Sequence, residues 1–181
     1  PPTGELLFDR SGFEAVARDT QLRLLAAGLQ WIAGAEYRPR AAPLEALLER
    51  LLGGGGGTLQ GCEARMERDQ LRIFREFRAV RDEVQTLDAT DGRAQLWDGR
   101  WLVSGRHASG RFIRALGEDG WAQIEDPPDG APPFHSARSL PSLWDTEGLI
   151  ACHALGLGEG HTRLWPLGRE RFCFDRFLLS H

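Results

Sequence analysis

The chain has 181 residues, enough for one domain or two small ones. Its 41% hydrophobic and 27% charged residues exclude a disordered chain, and no apolar run reaches the ~20 residues that cross a bilayer. A formal net charge of −4 argues against strong nonspecific nucleic-acid binding but leaves room for a local basic patch.

All 22 basic residues are Arg, so Schiff-base chemistry and a phosphate-loop lysine are both out of reach. The N-terminus, PPTGELLFDR, has no basic stretch followed by an apolar core and so shows no signal peptide. It also lacks Met and reads as a point inside a longer protein. Cys62, Cys152 and Cys173 are odd in number and far apart. That is no disulfide framework, and it fits a reducing cytoplasm.

In chain order, Ser11 and Glu14 have capping-box spacing, which predicts a helix from about Gly12, with Asp19 as a second possible cap. Leu22, Leu25, Leu29 and Ile32 share one helical face, and Gly34 is placed to end that helix. Tyr37-Arg38-Pro39-Arg40 is a non-helical link, because the residue before proline is pushed towards extended geometry. Pro43 suits the first turn of a second helix, whose Leu44, Leu47, Leu48, Leu51 and Leu52 form a core-facing stripe.

Five glycines from Gly53 to Gly57 stop this helix. A phosphate cradle would need Gly-Lys-Ser/Thr at its end, whereas Thr58-Leu59 follows, so a flexible loop is expected. Thr58 to Met66 and Leu71 to Arg75 read as a hairpin around Arg68-Asp69-Gln70. Ile73, Phe77, Val80, Val84 and Leu87 also fit a helical face, so periodicity alone leaves Met66 to Leu87 open.

The polar stretch Asp82 to Arg93 is a predicted linker. Beyond it lie strand-like runs: Ala94–Trp97 and Arg100–Val103 about an Asp98-Gly99 turn, then Arg111–Leu116, Trp121–Ile124, Leu149–His153, Arg163–Trp165 and Phe172–Phe174. Ala137 to Leu143 is a candidate helical turn. Five of the six Trp fall in this half, where a small β core needs them.

Chemistry-bearing patterns are sparse. Cys152-His153 with His161 lacks the paired cysteines of a zinc site. His107 near Ser109 is not a nucleophile elbow. Glu118-Asp119 and Glu125-Asp126 sit beside Gly or Pro as turn residues. Arginines stand out instead: Arg38, Arg40, Arg65, Arg68, Arg72, Arg75, Arg78 and Arg81 cluster in the first half. Guanidinium forks match phosphate oxygens and stack on bases, which is the RNA-binding reading. A solvated face paired with Glu63, Glu67, Asp69 and Glu76 is the other.

The runs YRPRAAPLEALLERL (37–51), GGGGTLQGC (54–62), LRIFREFRAV (71–80), WDGRW (97–101), LPSLWDTEGLIA (140–151) and the terminal FLLSH resemble the C-terminal region of bacterial tRNA(Ile)-lysidine synthetases. The resemblance implies the modules that follow an ATP-pyrophosphatase domain, in enzymes that adenylate the wobble cytidine of tRNA(Ile) and replace the AMP with lysine. The family's Ser-Gly-Gly-x-Asp-Ser motif occurs nowhere in these residues. No catalytic, ATP or Mg²⁺ residue is therefore carried over; those cofactors are implied only for the full-length ligase.

The resulting expectation is an α+β fold in two parts. A helical hairpin with a β-hairpin occupies 1–82, a linker 83–92, and a β-rich domain 93–181. The expected role is non-catalytic tRNA(Ile) recognition in the cytoplasm, through Arg38, Arg40, Arg65, Arg72, Arg75 and Arg78, with no membrane association. The competing expectation is a protein-interaction or structural module without an RNA role.

Overall fold

The computed structural model describes residues 3–87, 95–104, 110–158, 161–164 and 174–179. The fold is α+β, with helices and antiparallel sheets. The chain divides into two compact units, Thr3–Glu76 with Pro166–His181, and Phe77–Trp165.

The first unit opens with strand β1 (Leu6–Asp9) and helix α1 (Arg10–Ala15). The capping box expected at Ser11 is displaced by two residues. The Asp9 carboxylate accepts from the Gly12 N–H at 2.7 Å and from the Ser11 hydroxyl at 2.6 Å, which makes Asp9 the cap. These two bonds, the Ser11 one first, hold its carboxyl below the ordinary value.

Helix α2 (Arg18–Ala33) starts one residue before Asp19, so Asp19 lies in its first turn, where it pairs with Arg23. Leu25, Leu29 and Ile32 are fully buried, and Leu22 is half-buried. Gly34 closes α2 in the left-handed conformation, φ 62°. Helix α3 (Ala41–Leu52) buries Leu44, Leu47, Leu48 and Leu51.

The glycine run does more than interrupt. Gly53 caps α3, and Gly56 and Gly57 already belong to strand β2 (Gly56–Leu59). Strands β3 (Cys62–Met66) and β4 (Gln70–Arg75) follow. The expected first strand, Thr58 to Met66, is thus itself a hairpin, turning at Gln60 and Gly61, both with positive φ. β1, which has no turn signal or hairpin partner nearby in sequence, pairs with β4, giving the order β1-β4-β3-β2.

Alternation assigns the faces. Leu6, Phe8, Cys62, Ala64, Met66, Leu71 and Ile73 join the leucines of α2 and α3 in one core. α2 passes so close over β4 that a Cβ on Gly28 would stand 2.8 Å from the Ile73 side chain. Phe174 begins a helix, α7 (Phe174–Leu179), and not the end of a strand as expected. α7 packs on α2, with Phe174 and Phe177 against Trp31.

The ambiguous Met66–Leu87 region, which runs from the first unit into the second, resolves into strand, helix and strand. β4 ends at Arg75, α4 (Phe77–Val80) makes a single turn, and β5 (Gln85–Thr86) is a strand. The expected linker 83–92 is therefore structured where it is described: β5 pairs with strand β8 (Phe112–Ala115), and Leu87 is buried. The rest of that linker falls outside the described residues.

β6 (Gln95–Trp97) and β7 (Trp101–Ser104) form the expected hairpin, with Asp98 and Gly99 at φ 49° and 59°. Helix α5 (Gly117–Trp121) replaces the strand expected at Trp121–Ile124; Trp121 and Ile124 still pack on the core, but from a helix end. The helical turn lies earlier than expected, as α6 (Phe134–Ala137), because Pro141 opens strand β9 (Pro141–Trp144). β10 (Leu149–Ala151) gives way to a 3₁₀ turn at His153–Leu155, and β11 (His161–Leu164) pairs with β7. The sheets run β10-β9-β8-β5 and β11-β7-β6. Their core holds Trp97, Trp101, Ile113, Leu116, Leu143 and Cys152. No helix among the described residues is long and apolar enough to cross a membrane.

Candidate nucleic-acid interface

The six arginines singled out by sequence do not form one cluster. Arg72 sits on central strand β4 and is only 7% exposed. Its Nη1 donates to Glu5 at 2.6 Å and its Nε to Glu67 at 2.8 Å. Burial works against its charge, but the bonds to Glu67 and Glu5 outweigh it and hold the guanidinium above its ordinary value. Buried and doubly paired, Arg72, a candidate RNA contact in the sequence reading, ties β1 and the β3–β4 turn to the sheet.

Arg75 is half-buried and donates Nη1 to the Gly61 carbonyl at 2.9 Å, across the end of the sheet. Arg65 opposes Arg72 in register on β3, yet is exposed and pairs with the largely buried Glu63 at 2.5 Å. Arg78 is exposed on α4, in the second unit. Arg38 and Arg40 are exposed on the link between α2 and α3.

That link is held in place. The side chain of Gln30, itself 2% exposed, donates to the Glu36 carbonyl at 2.9 Å, and Gln60 donates to the Tyr37 carbonyl at 2.8 Å. The Gln60–Gly61 turn therefore receives the Arg38-bearing link through one residue and Arg75 through the other. Sequence reading named the link but missed its anchors. Glutamines carry no periodic signal, and Gln60 meets Tyr37 only because the β2–β3 turn folds back on α2. Beside the link, Leu22, Ala26 and Leu44 line a shallow groove of about 220 Å³, together with Arg23, Arg38 and Glu45.

A second hollow, about 450 Å³, is lined by Gly54 to Gly57 with Glu63, Arg65 and Met66. It does not suit a nucleotide phosphate. Gly54 and Gly55 already donate their N–H groups to Leu51 and Arg50, at the negative end of α3, and Glu63 adds a carboxylate. Nor do the described residues group three His, Cys, Asp or Glu side chains around a common point.

Fold and surface together define an α+β chain of two antiparallel-sheet units whose first unit displays arginines on an anchored link. Across 178 residues this chain is 32% identical to the tRNA(Ile)-lysidine synthase of Ruegeria pomeroyi, covering 98% of the chain and 41% of the relative. It is 39% identical over 111 residues to the tRNA(Ile)-lysidine synthase of Caulobacter vibrioides, covering 60% of the chain and 27% of the relative. The chain is thus homologous to the C-terminal part of tRNA(Ile)-lysidine synthases, as its motifs indicated, and spans less than half the length of either relative. No family profile matches, and no solved structure matches.

Proposed function

We propose that this chain is a tRNA-recognition region of a tRNA(Ile)-lysidine synthase. It holds tRNA(Ile) in the cytoplasm while ATP- and Mg²⁺-dependent chemistry takes place on other residues of the enzyme. The observation that carries this reading is the match along 98% of the chain to an enzyme whose substrate is in its name. The fold supplies means of contact: Arg38, Arg40, Arg65 and Arg78 are exposed, and the link bearing the first two is anchored to the sheet. Arginine reaches phosphate through charge and a planar fork, which makes these four the residues offered for contact in an otherwise acidic chain.

The net charge of −4 favours the second reading, a protein-interaction module without an RNA role. Titrating the chain with labelled tRNA separates the two. The proposal expects saturable tRNA binding. Absence of tRNA binding at low salt favours the interaction module.

A further inference from the structure

We propose that Tyr37, with Arg38 and Arg40, forms a stacking platform for an unpaired nucleotide of the bound RNA; this rests on the tRNA-recognition reading above. Tyr37 is the chain's single tyrosine and is 73% exposed, the most exposed large hydrophobic side chain among the described residues. Folding gains little from an aromatic ring left in water, while the backbone beneath it is held unusually well. Gln30 fixes the carbonyl of Glu36, Gln60 fixes that of Tyr37 itself, and Pro39 restricts the next turn of the chain. An exposed ring on an immobilised backbone loses little entropy when a flat partner lies on it.

The partner's chemistry follows from what flanks the ring. Glu36 directly precedes the ring, but from Tyr37 to Leu44 there is no carboxylate, and Arg38 and Arg40 add two cations within three residues. A planar π-face with two guanidinium forks within three residues of it in sequence matches a nucleobase with its adjoining phosphates, and stacking of this kind tolerates any base. The neighbouring groove shares Arg38 with the link and adds Arg23 and Glu45. A duplex would hide its base faces from Tyr37, so the platform selects unpaired nucleotides.

The test uses the one-tyrosine composition. Chain produced with 3-fluorotyrosine carries a single ¹⁹F label, at Tyr37. The label's resonance is followed while a mixed-sequence single-stranded RNA decamer, the same decamer as a duplex, or transcribed tRNA is added at low salt. The proposal expects the resonance to move with single-stranded RNA and tRNA but much less with duplex. Tyr37→Ala should weaken decamer binding by roughly 5- to 100-fold, and Tyr37→Phe should restore it. Arg38→Ala with Arg40→Ala should lower the salt slope by about one to two units. An unmoved resonance at saturating tRNA overturns the platform and leaves tRNA recognition standing. A resonance that moves on concentrating the chain alone overturns it in favour of self-association. Failure of every RNA to bind overturns both.

Discussion

At the scale of single residues, the arginines divide by burial, and that division has measurable consequences. Replacing Arg72 with Met leaves Glu5 and Glu67 without their shared cation in a buried setting. We expect a stability loss of about 3 kcal/mol, read from chemical denaturation. Arg40→Ala, on an exposed position, should stay within about 0.5 kcal/mol of the parent. Equal losses in the two variants would remove the distinction between internal and surface arginines. Cys152 gives a separate check. Burial pushes its thiol up to about 11, so almost no thiolate exists near neutrality. Cys62 is also fully buried and donates its S–H to the Leu29 carbonyl at 3.4 Å. Peptide mapping after iodoacetamide treatment at pH 8 should find both unlabelled until denaturant is added. Native labelling of Cys152 would contradict its burial.

At the scale of elements, the glycine run acts sterically. A Cβ on Gly56 would stand 2.6 Å from the Ala64 carbonyl oxygen across the β2–β3 pair, whereas Gly54, at φ 80°, faces open space. Gly56→Ala should therefore cost about 1–3 kcal/mol, and Gly54→Asn distinctly less, because Asn tolerates the left-handed conformation. Thermal melts that rank the pair the other way would show that β2 does not begin within the run. The two helices were legible beforehand because their leucines repeat at helical steps and Gly34 marks an end. The Asp98-Gly99 hairpin was legible because its turn chemistry is local. β1 was not, since its four residues gain a partner only from β4, more than sixty positions away in sequence. Trp121 was misread as strand because an aromatic with apolar neighbours signals burial, and burial alone does not tell a helix end from a strand. Among the candidate arginines, burial was not legible: nothing in the spacing of Arg72 distinguishes it from Arg65.

At the scale of the whole molecule, residues near the C-terminus complete the first unit. Phe177 is fully buried, its ring 5.6 Å from that of Trp31. Phe177→Ala should lower the stability of the first unit by about 3 kcal/mol, seen as an early step in a calorimetric melt. A single unshifted transition would detach α7 from that core. The central claim is that this chain holds tRNA through a few exposed arginines despite its acidic balance. Its most direct test is the equilibrium binding of labelled tRNA(Ile) to the chain across a series of salt concentrations. With Arg38, Arg40, Arg65 and Arg78 each neutralising one phosphate, the logarithm of the affinity should fall against the logarithm of salt with a slope of roughly −3. Binding that is absent at low salt, or present but indifferent to salt, would contradict the account.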